Sequence, residues 1–121
     1  MTKERISKGK EGEDIAANFL AKEGYKILER NFRCPLGEID IVALDSGTLV
    51  FVEVKTRSSN SFGLPEEAVN HRKQHQMTKA AQFYIARKKL FNHPARFDVV
   101  AVTVRDGKEE VRVIRNAFEI S

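Results

Sequence analysis

The chain has 121 residues, 41% of them hydrophobic and 31% charged, which is the composition of one ordinary globular domain. Its 21 Lys and Arg exceed its 17 Asp and Glu, giving a net charge of +4, and its one cysteine excludes an internal disulfide and a cysteine-based zinc cluster. The basic balance favours nucleic acid over an acidic small molecule as the partner. Because the sequence contains neither an apolar run of membrane-spanning length nor a signal-peptide core, we expect a cytoplasmic protein with no membrane partner.

The first predicted element is a helix from near Lys10 to Glu23, which follows a polar stretch, residues 1–8, that we expect to be flexible. Its apolar residues recur at helical spacing and form one stripe: Ile15, Ala16, Phe19 and Leu20. Glu13 borders this stripe in the predicted first turn. An acidic side chain there complements the helix dipole, and this is the plainer alternative to a functional role.

A strand is predicted over residues 25–32, with Arg33 near its end, and the residues Cys34-Pro35-Leu36-Gly37 predict the turn that follows. Gly37 to Lys55 then predicts a β-hairpin. In its first arm, two sets alternate between the faces: Glu38, Asp40, Val42 and Leu44 against Ile39, Ile41 and Ala43.

The turn of this hairpin decides which side chains meet. A two-residue turn at Ser46-Gly47, or a four-residue one, pairs Leu44 with Leu49 and therefore Asp40 with Glu53. A three-residue turn would instead place Asp40 opposite Val52. We expect the first register because it collects the apolar pairs on one face.

The pair of Asp40 and Glu53 is the main functional signal. Opposed carboxylates on a sheet repel by up to about 1 kcal/mol, so folding alone gives no reason for them. A divalent cation supplies one, because Mg²⁺ binds one or two carboxylates together with water and substrate phosphate. Lys55 follows on the same face, where its ammonium would steer a water or stabilise charge growing on a phosphate. Glu38 on that face is either an outer ligand or a solvated charge.

After the hairpin comes the longest predicted loop, residues 58–65, which is either a substrate-contacting flap or a plain connector. Arg57, just before it, suits a phosphate, although a surface ion pair would give the same sequence. A second helix begins between residues 66 and 70 and ends near Leu90. Its N-terminal end directs Lys73 and Gln74 toward the hairpin. Its predicted buried stripe consists of Met77, Ala80, Ala81, Tyr84 and Ile85.

Residues 96–104 are almost continuously apolar, which predicts a central strand covered on both faces. Asp106-Gly107 predicts a turn into an alternating edge strand, residues 111–115. The order αβββαββ predicts an α/β fold, with two main helices flanking an open mixed five-stranded sheet. His71 and His75 stand four apart on the second helix, but no acidic third ligand accompanies them.

Several segments resemble known families: GKEGEDIAANFL, NFRCPLGEIDIVA, FVEVKTR and RFDVVAV are similar to the YraN-type family of uncharacterised bacterial proteins. The set of Glu13, Asp40 and Glu53-Val54-Lys55 resembles the PD-(D/E)xK nuclease superfamily, and archaeal Holliday-junction resolvases within it. Gly-Glu-Ile-Asp stands here in place of the Pro-Asp for which that superfamily is named.

This resemblance implies a restriction-endonuclease-like core that binds Mg²⁺ or Mn²⁺. It implies that Asp40, Glu53 and Glu13 are metal ligands, as is the Val54 carbonyl, and that Lys55 is the catalytic lysine. The function we expect is cleavage of structured or branched DNA. A resolvase must cut two strands symmetrically, which requires two-fold symmetry and therefore implies a homodimer. A non-cleaving nucleic-acid-binding module and an unrelated interaction protein are the alternatives. The candidate nucleic-acid contacts are Lys10, Arg33, Arg57, Lys73 and Gln74.

Overall fold

The computed structural model describes residues 3–58 and 69–119. The helices and strands follow in the order α1 (Lys3–Lys22), β1 (Lys26–Cys34), β2 (Gly37–Asp45), β3 (Thr48–Ser58), α2 (His71–Lys88), β4 (Ala95–Arg105) and β5 (Lys108–Phe118). The strands form one sheet in the order β1-β2-β3-β4-β5, in which β3 and β4 are parallel and the other neighbours are antiparallel. This confirms the predicted α/β fold with its open mixed five-stranded sheet.

Each helix covers one face of the sheet. Under α1 lies a core that includes Ala16, Leu20, Ile41, Val52 and Val100. Under α2 lies a second core that includes Val42, Phe51, Met77, Tyr84 and Phe97. β4 contributes to both cores and has a neighbour on each side, so the predicted central strand is confirmed. Within the described residues, no helix is long and apolar enough to cross a membrane.

The bounds of the helices differ from prediction mainly at the start of α1. This helix begins at Lys3 and not near Lys10, because the early Lys, Glu and Arg residues are good helix formers even without an apolar stripe. Glu13 therefore lies well beyond the first turn, where the helix dipole has faded, and the dipole interpretation is wrong. α2 begins at His71, one residue after the predicted window of residues 66–70, with Asn70 as its N-cap. Most of the predicted flap, residues 59–65, falls outside the described residues.

The hairpin of β2 and β3 has the predicted register. Ser46 and Gly47 form a two-residue turn with φ of 50° and 90°, the left-handed geometry that closes tight hairpins. Leu44 pairs with Leu49, and the described ladder ends where Ile41 pairs with Val52.

A buried ion cluster ties the other end of the sheet together. The Asp98 side chain on β4 is fully buried and accepts hydrogen bonds from Arg96, Tyr25 and the Asn116 amide. Arg96 also donates to Asp45 at 2.8 Å, beside the hairpin turn. The cluster thus connects β2, β4, β5 and the residue preceding β1 with hydrogen-bonded charges, which is the condition under which a charge is tolerated inside a protein.

Replacing Asp98 tests this structural role. Asp98→Ala should lower the free energy of unfolding by about 3–5 kcal/mol, because it removes the buried charge partner of Arg96 and the acceptor of the Asn116 amide. Urea unfolding followed by circular dichroism measures the change. The control is Asp14→Ala, which removes an ion pair whose Asp14 side chain is 47% exposed, and it should change stability by less than about 0.5 kcal/mol. Equal effects of the two variants would contradict the assignment.

Candidate active site

Asp40 and Glu53 lie where the pairing between β2 and β3 stops. Beyond the pair of Ile41 and Val52, β2 stays paired with β1 and β3 stays paired with β4 as far as Ser58. The sheet therefore forks at this level. We call the opening between the two strands, with Asp40 on one side and Glu53 on the other, the fork.

The backbone of β2 changes face at Asp40. Ile39 packs in the core under α2, whereas Ile41 packs in the core under α1, although residues two apart in a regular strand share a face. The prediction that Ile39 lies with Ile41 is therefore wrong. Asn31, which lies opposite Asp40 on β1, has φ of 54°. Asp40 consequently turns into the fork, where its Oδ2 accepts a hydrogen bond of 2.8 Å from the Val54 amide.

Glu53 meets Asp40 and two lysines inside the fork. The Glu53 side chain is only 7% exposed, and its carboxyl group lies close enough to that of Asp40 for the two charges to interact. Lys55 Nζ lies 3.4 Å from Glu53 Oε1, and Lys73 Nζ, from α2, lies 3.7 Å from Glu53 Oε2. The structure thus brings together Asp40, Glu53, Lys55 and Lys73, as the spacing of these residues predicted.

Glu13, on α1, approaches the fork from the face of the sheet opposite to α2. The preceding residue, Gly12, is buried and packs directly against Thr56 of β3, where a Cβ would overlap the threonine hydroxyl. This close approach carries Glu13 to the fork. Burial, and then the charge of Asp40, raise the pKa of Glu13, while Arg30 and a hydrogen bond from Asn31 act against that rise.

The carboxyl groups of the fork are held at an energetic cost. Burial raises the pKa of Asp40, although the Val54 amide and Lys73 act in the opposite direction. Burial and the neighbouring Asp40 charge raise the pKa of Glu53 from 4.5 to about 7. Among the described residues, two buried side-chain oxygens have no hydrogen-bond partner, Glu13 Oε1 and Glu53 Oε2. Both belong to this site, so it contains unused ligand capacity.

These features fit a hard divalent cation. The acidic side chains supply only oxygen, which Mg²⁺ prefers, and Asp40 with Glu53 provides the one or two carboxylates that such an ion commonly takes from a protein. In the described part of the chain, no group of three or more His, Cys, Asp or Glu side chains is already arranged to hold a metal. Glu13 therefore influences Asp40 electrostatically without completing a ready-made cage. Ligation by the Val54 carbonyl stays a prediction.

The remaining predicted contacts lie around the fork. Gln74 Nε2 donates 2.8 Å to the Val69 carbonyl, so this side chain holds the start of α2. Arg33 is exposed and lies 3.6 Å from Glu38. Arg57 continues β3 beyond Lys55, and Lys10 is exposed on α1. Their contacts with nucleic acid stay predictions.

A cavity of about 360 Å³ adjoins the fork, between the β1–β2 turn and α2. Its lining includes Arg33, Lys73 and Gln76, together with the turn itself. Gly37 closes this region tightly, because a Cβ there would lie 2.8 Å from the Gln76 carbonyl oxygen. The turn is therefore packed directly against α2.

Sequence reasoning missed the residues that support the predicted ligands. Arg30 and Asn31 contact Glu13 from β1, and only the pairing of strands brings them there. Gly12 had a signal, since an isolated glycine inside a helical pattern often marks close packing. Asp98 also had a signal in the sequence, because a charged residue inside an apolar strand needs a partner, and Arg96 lies two residues away on the same face.

Comparison with known proteins finds a family but no activity. The sequence model of the "Uncharacterised protein family UPF0102" matches residues 12–102. A UPF0102 protein of Syntrophotalea carbinolica is 50% identical over 120 residues, covering 99% of this chain and 98% of the relative. A UPF0102 protein of Clostridium perfringens is 47% identical over 122 residues, covering 99% of this chain and all of the relative. These names state no substrate or reaction.

The raised pKa of Glu53 predicts how stability changes with pH. Between pH 4.5 and about 7 the folded protein keeps a proton that the unfolded chain releases, so the free energy of unfolding falls as pH rises through this range. In EDTA, Glu53→Gln should therefore be more stable than wild type at pH 8, by roughly 1–3 kcal/mol, and this advantage should shrink toward pH 5. Urea unfolding at the two pH values measures it.

The matched control is Glu110→Gln, the same change at an exposed position on β5. Its effect on the free energy of unfolding should be small and equal at both pH values. A Glu53→Gln effect that is also independent of pH would show that the Glu53 carboxyl is not destabilised by its surroundings.

Proposed function

Because the chain belongs to the Uncharacterised protein family UPF0102, whose description assigns no activity, we propose a function from its site: a Mg²⁺-dependent nuclease that hydrolyses phosphodiester bonds in structured or branched DNA. One observation carries this proposal. The buried carboxyl group of Glu53 and the half-buried one of Asp40 meet in the fork, with one lysine beside each oxygen of Glu53. The resemblance to PD-(D/E)xK nucleases supports the same reaction.

A purely structural role does not account for this pair. Buried ion pairs are often no better for stability than apolar side chains of similar size. The hairpin positions next to the pair, Ile41 and Val52, are apolar and fully buried. The same hairpin therefore accommodates a pair of apolar side chains in place of a charged pair. The Asp98 cluster, by contrast, is hydrogen-bonded to its partners, whereas Glu53 keeps an oxygen without a donor. Function is the better explanation for an arrangement that costs stability.

Each residue of the fork has a defined role in this proposal. Asp40 and Glu53 would hold the ion, and Glu13 would contribute from the α1 side. When bound, Mg²⁺ would act as a Lewis acid toward the phosphate and lower the pKa of a coordinated water. The Val54 amide fixes the orientation of the Asp40 carboxylate. The Lys55 ammonium, 3.4 Å from Glu53, would orient the attacking water and stabilise the charge that develops on the phosphate.

Nucleic acid fits the electrostatics of the whole chain. The net charge is +4, and the acidic groups of the fork are withdrawn from the surface, so the exposed surface is more basic than that total. Arg33, Lys10 and Arg57 are the proposed phosphate contacts outside the fork. The preference for branched DNA, and the two-fold dimer that symmetric cutting needs, rest on the similarity to Holliday-junction resolvases.

Cleavage assays test the proposal directly. Purified protein with Mg²⁺ or Mn²⁺ should cleave a labelled four-way DNA junction, and EDTA should stop the reaction. Asp40→Asn, Glu53→Gln and Lys55→Met should each reduce the rate by at least about 100-fold, because each removes a ligand or a charge-stabilising group. DNA binding at low salt should persist in all three, and the control Glu110→Gln should cleave like wild type.

The possible results separate the alternatives. Junction binding without cleavage, on linear and branched DNA and on RNA alike, would favour a non-cleaving nucleic-acid-binding module. Absence of binding at low salt, where phosphate contacts are strongest, would favour an unrelated interaction protein.

Calorimetry gives a prediction that does not depend on the substrate. Mg²⁺ should bind wild type more tightly at pH 8.5 than at pH 6, because Glu53, with a pKa of about 7, must lose its proton to become a ligand. At pH 6 the measured heat should vary with the ionisation enthalpy of the buffer, since binding releases that proton. Asp40→Asn should weaken binding by about tenfold or more. Affinity that is equal at both pH values would contradict ligation by Glu53.

A further inference from the structure

The contact between Lys73 and Glu53 is longer than the ion pairs of the Asp98 cluster. Lys73 Nζ lies 3.7 Å from Glu53 Oε2, beyond hydrogen-bond distance, and this oxygen has no hydrogen-bond partner among the described residues. Arg96, in comparison, donates to Asp98 at 3.0 Å. Lys73 therefore compensates the charge of Glu53 through space, without being fixed to it by a hydrogen bond.

The Lys73 side chain also has space on the side away from Glu53. Its side chain is 25% exposed and lines the cavity of about 360 Å³ beside the β1–β2 turn, together with Arg33 and Gln76. Lys55, the other lysine beside Glu53, does not line that cavity. The backbone of Lys73 is held, because its amide donates 2.9 Å to the Asn70 side chain at the start of α2. A fixed backbone with a flexible four-carbon side chain allows the ammonium to move between two positions.

We infer that Lys73 is an exchangeable counter-ion: it neutralises Glu53 in the ion-free protein, and it moves into the neighbouring cavity to bind a substrate phosphate when a divalent cation occupies the fork. This inference rests on the proposed function. With a cation held by Asp40 and Glu53, the Lys73 ammonium beside Oε2 would be repelled and would no longer be needed to compensate the charge of Glu53. The displaced ammonium would then share the cavity with Arg33, which pairs with Glu38 at 3.6 Å. The cavity would hold two positive charges and one carboxylate, a net positive charge that suits a phosphate of the DNA backbone.

The exchange has a consequence that a lysine contacting only phosphate lacks. Since Lys73 and the cation compete for the same carboxylate, removing the ammonium should strengthen cation binding even though it removes a candidate DNA contact. In calorimetry with Mg²⁺ alone, Lys73→Met should bind the ion roughly three- to thirty-fold more tightly than wild type. The titration is run at pH 9, above the pKa of about 7 of Glu53, so that proton competition does not mask the effect.

Lys79→Met is the matched control, because Lys79 lies on the same helix and is exposed; its Mg²⁺ affinity should equal that of wild type. Circular dichroism establishes that both variants are folded. Wild type that binds Mg²⁺ while Lys73→Met binds it equally or more weakly overturns the exchange and leaves the nuclease proposal intact. If neither protein binds Mg²⁺, both proposals fail. Binding by Lys73→Met but not by wild type would also contradict the exchange, because the cation would then be unable to displace Lys73 in the natural protein.

A DNA-binding measurement tests the second half of the exchange. With Ca²⁺ present, the salt dependence of junction binding should correspond to about one phosphate contact fewer in Lys73→Met than in wild type. Without divalent ions the two proteins should show the same slope, because Lys73 then remains with Glu53. A slope difference of equal size in both conditions would show that Lys73 contacts DNA independently of the cation.

Discussion

The hydrogen bond from the Val54 amide to the Asp40 carboxylate is the interaction on which the site depends. Beyond Ile41 and Val52 the backbone ladder between β2 and β3 stops. The Asp40 side chain there accepts a hydrogen bond from the Val54 amide, which lies beyond the end of that ladder. The bond satisfies the Val54 donor while the strands separate, and it holds the carboxylate in the opening. The Asp40 side chain thus takes the place of a backbone carbonyl as the acceptor for the Val54 amide. The same hydrogen bond holds the Asp40 carboxylate in the fork, where the two strands separate.

Two groups of charges in this protein obey different rules. Asp98 is completely enclosed, and its hydrogen bonds come from Arg96, Tyr25 and the Asn116 amide, so its charge stabilises the arrangement of strands. In the fork, burial raises the pKa of Asp40 and Glu53, and two oxygens remain without donors. A protein tolerates a carboxyl oxygen without a donor where a bound ion or substrate can supply the missing interaction. Acidic residues with strongly shifted pKa values are for this reason concentrated at functional sites.

Much of this arrangement was accessible from the sequence, because local rules determine it. The Ser46-Gly47 turn requires left-handed backbone, which selects a tight hairpin, and the tight hairpin in turn selects the register that directs Asp40 toward Glu53. The face reversal at Asp40 was not accessible. Alternation along β2 predicted one continuous face, whereas the packing of Ile39 under α2 and Ile41 under α1 breaks it, and packing against two helices is a non-local constraint.

The sequence by itself determined the order of the strands and helices, the hairpin register and the pair of carboxyl groups with its lysine, since each follows from residue periodicity or turn chemistry within a short segment. Only the tertiary structure decided how closely Glu13 and Lys73 approach this pair, which they do from opposite faces of the sheet. Their positions depend on how closely each helix packs, as at Gly12 against Thr56, and such distances are set by contacts between segments remote in the chain.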